Sequence, residues 1–323
     1  MNTRWLTTLV LSCVLAAASA CSSSNSGKAA SKEVHLDYAY YNPLSLVIRD
    51  QHLLENKGYL VRWVLSAGSN KANEGLRSNA LDLGSTAGSA ALVARSNGAP
   101  IKVVDIYSKS EWTALVVAKN SPITSISDLK GKKIAVTKGT DPYFFLLQAL
   151  ATKGLTPADV EIVNLQHSDG KTALERGDVD AWSGLDPFLA QTVLEHGSRI
   201  IYRNADFNSF GFLNAREDVI AKKPATVQAV IDVYKQAQVW ARGHPEQLTV
   251  LLAREAKVSP AVATDELART DLQVDPTPGA AQISVLEKIL PLALSDNDIK
   301  SESAGQNALA TIIEPKFAAQ RNQ

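Results

Sequence analysis

Cysteine is nearly missing from this 323-residue chain: there are two, Cys13 and Cys21, both close to the amino end. A domain built from the remainder has no disulfide, no thiolate metal site and no thiol nucleophile. Net charge is missing as well, because 33 basic and 33 acidic residues balance. No basic block stands out, which argues against nucleic acid as a partner. Beyond the first twenty residues, no run reaches the length and hydrophobicity of a membrane helix. Enzyme signatures are also lacking. His35, His52, His167, His196 and His244 form no i, i+4 metal pair and no HExxH arrangement. Neither Gly-x-Ser-x-Gly nor a phosphate-loop Gly-x-x-x-x-Gly-Lys-Ser/Thr occurs. The neighbours His167-Ser168-Asp169 do not make a triad, which requires geometry across a fold. Gln166-His167, at the end of a strand, is expected to border a cleft. No metal, no cofactor and no catalysis are expected.

What is present begins with an export signal over residues 1–20. Arg4 gives a positive start, 6–17 is almost wholly apolar or small, and Ala18-Ser19-Ala20 precedes Cys21. Such a stretch is too short for a stable membrane span. Two processing outcomes fit. General signal peptidase would leave Cys21 as a bare thiol. Alternatively, the small residues before it resemble a lipoprotein lipobox, with Ala18 where Leu is usual, and Cys21 carries the lipid. The polar tether over 22–31 favours the lipid, since a tether suits an anchor. The expected location is outside the cytoplasm, periplasmic or cell-surface, anchored through Cys21.

From Glu33 onward, strands and helices alternate. Strands are predicted over 34–39, 60–65, 81–84, 102–106, 113–118, 133–137, 161–164, 179–182, 199–201 and 210–215. Helices are predicted over 44–55, 70–78, 89–96, 127–129, 143–153, 170–176, 187–196, 225–242, 246–255, 260–268, 280–290 and 303–316. Alternation of this kind implies an α/β fold with mainly parallel sheets covered by helices. About 290 residues without disulfides suit two lobes better than one. Polar stretches near 119–122 and 205–209 mark two crossings. They divide the chain into residues 33–118 plus 207–323 as one lobe and 119–206 as an inserted second lobe, hinged over a cleft.

The stretch Leu81-Asp82-Leu83-Gly84-Ser85-Thr86-Ala87-Gly88-Ser89 reads as a strand running into a helix start. A helix start leaves N–H donors and partial positive charge, suited to an anion. The same device recurs at Asn42-Pro43, Thr140-Asp141-Pro142 and Asp186-Pro187, each after a strand. In open α/β sheets, ligands sit where such strand ends converge. The competing reading is plain capping, by Ser85 or Thr86 and by Asp186. Trp182, on an apolar strand, is read as core; Asn208 and Phe210 are rim residues.

Five motifs carry a resemblance: 40–51 (YYNPLSLVIRDQ), 66–68 (SAG), 81–86 (LDLGST), 127–139 (SDLKGKKIAVTKG) and 177–187 (GDVDAWSGLDP). Together they are similar to the solute-binding component of ABC importers for aliphatic sulfonates, whose relatives bind taurine, nitrate and thiamin precursors. The resemblance implies a two-lobed periplasmic-binding-protein fold with two hinge crossovers, each lobe a mixed, mostly parallel sheet flanked by helices. It implies a monomer that hands a small organic anion, an alkanesulfonate, to a membrane permease driven by a cytoplasmic ATPase. It places the sulfonate against Ser85, Thr86 and Ala87, with Asn42, Ser66 and Gly68 from the same lobe. Lys138, Gly139, Thr140 and Asp186 come from the other lobe. Trp112 is a stacking residue for an organic tail, and Glu111 a partner for an amine. Two departures bear on that tail: Ala87-Gly88 where typical sulfonate binders carry Gly-Asp, and Gly184-Leu185 where they often have a second aromatic. Alternative ligands are taurine, nitrate or an alkyl sulfate ester; an alternative class is an enzyme of thiamin-pyrimidine synthesis on the same fold.

Overall fold

A computed structural model describes residues 32–321; the signal stretch, Cys21 and the tether lie outside them. In chain order the elements are β1 (Glu33–Tyr38), α1 (Pro43–Asp50), β2 (Leu60–Leu65), α2 (Ser69–Arg77), β3 (Leu83–Ala87), α3 (Gly88–Ser96), β4 (Ile101–Ser110), β5 (Thr113–Val117), β6 (Lys133–Val136), α4 (Asp141–Ala151), β7 (Glu161–Asn164) and α5 (His167–Arg176). Then come β8 (Ala181–Leu185), α6 (Phe188–His196), β9 (Arg199–Tyr202), β10 (Phe210–Arg216), α7 (Glu217–Lys222), α8 (Pro224–Gly243), α9 (Pro245–Ala256), α10 (Pro260–Ala268), β11 (Thr270–Asp271), α11 (Ala280–Ser295), α12 (Glu302–Thr311) and α13 (Lys316–Arg321).

The described strands form two sheets, ordered β11-β4-β10-β3-β1-β2 and β7-β6-β8-β5-β9. Both are mixed. The pairs β1–β2, β1–β3, β6–β7 and β6–β8 are parallel, as helical crossovers require. The pairs made by β10 and β5 are antiparallel, so the sheets are less parallel than the alternation suggests. The reason is that β5 and β10 arrive from the other sheet without a covering helix. Strand β5 also corrects the expected boundary. It pairs with β8 and β9 in the second sheet, whereas 113–118 was expected with the first lobe. The chain therefore changes sheets at Glu111-Trp112, and again between Tyr202 and Phe210.

Local chemistry explains most helix starts. Asn42 caps α1 by accepting from Ser45 N at 3.3 Å, with Pro43 at the first helical position. Asp186 is not the cap expected of it: Pro187 holds the cap position of α6, and the Asp186 carboxylate instead accepts from Ala190 N at 3.0 Å, one position beyond the amides a cap serves. The start of α3 differs. Strand β3 continues through Gly84, Ser85 and Thr86 to Ala87, which holds the cap position of α3 without a side-chain cap bond of its own. Ser85 and Thr86 are therefore strand residues, paired with Leu213 and Phe212 of β10, not the caps expected of them. Gly84 did not end the strand because β3 is central, with neighbours on both sides.

One apolar core lies under the first sheet, joining Val34, Leu44, Leu83 and Tyr107 to Val230, Ile231 and Tyr234 of α8. A second runs from Phe144, Phe145 and Leu150 of α4 to Leu286, Ile289 and Ile312 of the carboxy-terminal helices. The helical tail is thus packed against both halves. Trp182, fully buried among Ala114, Val116, Leu174 and Leu189, has the core role assigned to it. Trp182→Ala is expected to cost about 3–5 kcal/mol, read as a lower urea midpoint with an unchanged slope. A loss under 1 kcal/mol would contradict that packing role.

Candidate functional site

The carboxyl ends of both sheets face one cleft, where the two crossings lie side by side: Thr113 N donates to Asn208 Oδ1 at 3.1 Å. The rings of Tyr41 and Trp112 meet there edge to face, centroids 6.4 Å apart, and Ala39, Ala87 and Leu185 complete an apolar cluster. Tyr41 Oη donates to Ser85 O at 3.0 Å. Tyr41, Ser69, Ala87, Trp112, Thr140 and Asp141 border a cavity of about 10 Å³, room for a single water. An organic ligand enters only if the halves part or a side chain leaves.

Asp141 dominates the polar side. Its carboxylate accepts from Trp112 Nε1 at 3.0 Å, from Ser209 N at 2.8 Å, from Ser209 Oγ at 2.7 Å and from Ser89 Oγ. Burial pushes its carboxyl above the usual range, and those four donors oppose the shift. At the start of α3, Ala87 N donates to Ser69 Oγ at 2.9 Å and Gly88 N to Ser209 Oγ at 2.8 Å. A second buried carboxylate, Asp37 on β1, receives Ser85 N at 2.9 Å and Ser85 Oγ at 2.9 Å. Burial raises Asp37 to about 6, against the opposing pull of the Ser85 and Ser66 groups.

The expected site residues divide accordingly. Ala87, Trp112 and Thr140 reach the cavity. Ser85 and Ser66 are turned to Asp37, and the Thr86 hydroxyl accepts from Asn214 Nδ2 at 2.9 Å. The Asn42 amide is spent on Tyr234 Oη at 2.9 Å. Lys138 is half-exposed, its ammonium 3.7 Å from Asp296; Gly139 sits beside it with a left-handed φ of 74°. Glu111 is ion-paired with Arg203 at 3.3 Å. Asp186 is buried against Arg269 Nη1, which also donates to Glu111 O at 2.7 Å. Burial raises the Asp186 carboxyl and the Arg269 charge opposes this. Sequence reasoning passed over Ser89 and Ser209, which meet Asp141 across 52 and 68 positions of chain; no local pattern marks such pairs.

Gly68 and His167 bring the halves together a second time. A Cβ on Gly68 would lie 2.9 Å from His167 Nε2 and 2.8 Å from Asn70 Oδ1. Thr137 Oγ1 gives its proton to Leu165 O at 2.7 Å, so the contact with His167 at 3.1 Å needs Nδ1–H as donor. Nε2 then carries a buried lone pair, without a hydrogen-bond partner. Burial holds His167 down at about 3. An unfolded chain takes up that proton below about 6.5 and the folded one does not. His167 therefore contributes stability that is present at neutral pH and lost as pH falls from about 6.5 towards 3, about 5 kcal/mol in all. Asp37 works in the opposite direction, by about 3 kcal/mol between pH 6 and 4. Urea titrations at pH 7, 5 and 4 should show acid lability that His167→Gln largely removes. Equal acid lability in both proteins would contradict the buried neutral imidazole.

Two half-domains joined by adjacent crossings, with strand ends facing a shared cleft, define the periplasmic-binding-protein architecture. The periplasmic aliphatic sulphonate binding protein SsuA from Escherichia coli has it, with a TM-score of 0.72 and 26% identity over 84% of this chain and 89% of that one. The desulfurization enzyme DSZB has it too, with a TM-score of 0.65 at 17% identity over 90% and 98%, a likeness of fold alone. The chain belongs to the NMT1/THI5-like family, whose model matches residues 54–248. A relative from Escherichia coli (strain K12), provisionally named an aliphatic sulfonates-binding protein, is 32% identical over 216 residues. That match spans 65% of this chain and 68% of the relative.

Proposed function

We propose that the protein is an exported solute receptor that captures an aliphatic sulfonate between its halves and hands it to an ABC importer, without chemistry on the ligand. Residues 33–110 and 210–321 move as one lobe and 113–202 as the other, hinging at the two crossings. The observation that carries this reading is the convergence of neutral donors at the start of α3 on a cleft walled by Tyr41, Trp112 and Leu185. A neutral hydrogen bond is worth about 0.5–1.5 kcal/mol net, so several are needed to hold an anionic head. Of the expected contacts, Ala87, Trp112 and Thr140 are placed to touch the ligand directly. Ser66, Ser85, Thr86, Asn42 and Asp186 support the walls, while Gly68, Lys138, Gly139 and Glu111 lie where the halves meet. The sulfonate-binding relative and the sulphonate-binding structure support the ligand class; taurine, nitrate and sulfate esters remain the alternatives to test.

Melting curves with alkanesulfonates, taurine, alkyl sulfates, nitrate and pyrimidines test the reading. A receptor is stabilised by about 2.7 kcal/mol at one hundred times Kd, and the ligand is recovered unchanged. Stabilisation by nitrate or a pyrimidine alone would move the assignment elsewhere, and product formation would make the protein an enzyme, as DSZB is on this fold. Lipid attachment at Cys21 rests on the sequence before residue 32. Cys21→Ser is expected to release the protein from the membrane fraction, and unchanged fractionation would refute the anchor.

A further inference from the structure

Ser89 Oγ, Ser209 N, Ser209 Oγ and Trp112 Nε1 converge on one point beside the start of α3, and each of these residues is at most 4% exposed. They come from one lobe and from both crossings. What they hold comes from the other lobe: the carboxylate of Asp141, the first residue of α4. That helix does not need it, because its N-terminal cap position is Thr140 and the Asp141 side chain is spent across the cleft. Ser209 Oγ accepts from Gly88 N at 2.8 Å and Ser89 N at 3.3 Å. Its single proton is therefore directed at Asp141, and the positive end of the α3 dipole is relayed to the carboxylate. Four neutral donors with no basic side chain among them form an oxyanion hole, and the oxygens of a carboxylate and of a sulfonate present the same acceptors to it.

We propose that this four-donor hole is the oxyanion subsite of the cleft and that Asp141 is its internal occupant, so that a ligand's anionic head binds by displacing Asp141. The inference builds on the reading that an anion is held at the start of α3, and adds which donors hold it and what competes for them. It also accounts for the space: with Asp141 seated, about 10 Å³ remains, less than a methanesulfonate needs. A chain that closes on its own carboxylate lowers its apparent affinity for any external anion by the fraction of molecules in that form.

The test uses Asp141→Ala, which empties the hole, and Asp141→Asn, which keeps its volume but removes the charge. The probes are formate and methanesulfonate, followed by melting temperature and calorimetric titration. Asp141→Ala is expected to melt lower than wild type and to be restored saturably by formate, which leaves wild type unmoved. Methanesulfonate is expected to bind either variant about tenfold or more tightly than wild type, and adding Ser209→Ala to Asp141→Ala abolishes both effects. If formate fails to restore Asp141→Ala and methanesulfonate binds Asp141→Asn no more tightly than wild type, the proposal is overturned. Should Asp141→Ala not fold, the Asn variant decides. Formate rescue with no sulfonate binding to any form would leave the subsite standing and remove the sulfonate assignment instead.

Discussion

Gly68→Val is expected to weaken ligand binding by about tenfold to a hundredfold while the protein stays folded. The backbone at Gly68 is extended, at φ 171°, so a side chain there causes no backbone strain. The obstacle is the other half. Even a Cβ would stand 2.9 Å from His167 Nε2, and that imidazole is 1% exposed at the start of α5. Asn70 can swing aside; the buried ring cannot without disturbing Thr137. Overpacking of this kind costs about 1–3 kcal/mol. Because the contact exists only when the halves meet, the cost falls on closure. Small-angle scattering should show a larger radius of gyration for the variant with ligand, alongside the weaker titration. An unchanged radius and an unchanged affinity would mean that the halves do not approach at Gly68 during binding.

Arg269→Met is expected to destabilise the protein by about 3–5 kcal/mol, the cost of leaving a buried carboxylate without its partner. Asp186 is 2% exposed, and Arg269 is the residue ion-paired with it. Beside them Glu266 is also buried, its carboxyl pushed well above its ordinary value by burial and by Asp186. A carboxyl, charged or neutral, cannot replace the missing cation. Asp186→Asn combined with Arg269→Met is expected to recover most of the loss, because removing both charges removes the uncompensated one. Equilibrium urea unfolding of the two variants measures this. A single variant within 1 kcal/mol of wild type, or a double variant as unstable as the single, would contradict the pairing. The pair matters for function because Arg269 lies between α10 and β11 of the first half, whereas Asp186 follows β8 of the second. The same arginine exchanges a backbone bond with the first crossing, where Glu111 N donates to Arg269 O at 3.0 Å.

Elements set by short-range pattern were legible in the sequence. The reading 60–65 matches β2, 161–164 matches β7 and 260–268 matches α10, since alternation, turn residues and a leading proline act within a few positions. Errors arose where a distant partner decided the matter. The run at 113–118 is apolar enough for either sheet, and only its pairing with β8 and β9 assigns it. Gly84 looked like a strand end, yet a strand with neighbours on both sides passes through it. The break at Pro315 separates α12 from α13, where one helix over 303–316 was expected. Helix α11 runs through Pro291 to Ser295 because Ile289, Leu290 and Ala293 stay buried across the proline, so packing outweighs the lost backbone bond.

The site was legible as a place more than as a set of contacts. Thr140-Asp141-Pro142 was recognisable as a helix start after a strand, but the direction of the Asp141 carboxylate depends on Ser89 and Ser209, which no local motif couples to it. Lys138 looked like a free cation in a turn; Asp296, 158 positions away in the helical tail, holds it at the rim. Ser85 looked like a free donor until Asp37 on the neighbouring part of the sheet claimed its hydroxyl.

A crystal structure of the protein grown with a short alkanesulfonate tests the central claim most directly. The expected result is sulfonate density between the halves, its oxygens within hydrogen-bond reach of Ser89, Ser209 and Trp112, with Asp141 turned away and no covalent bond between ligand and protein. Sulfonate bound outside the cleft, or a covalent adduct, would contradict it.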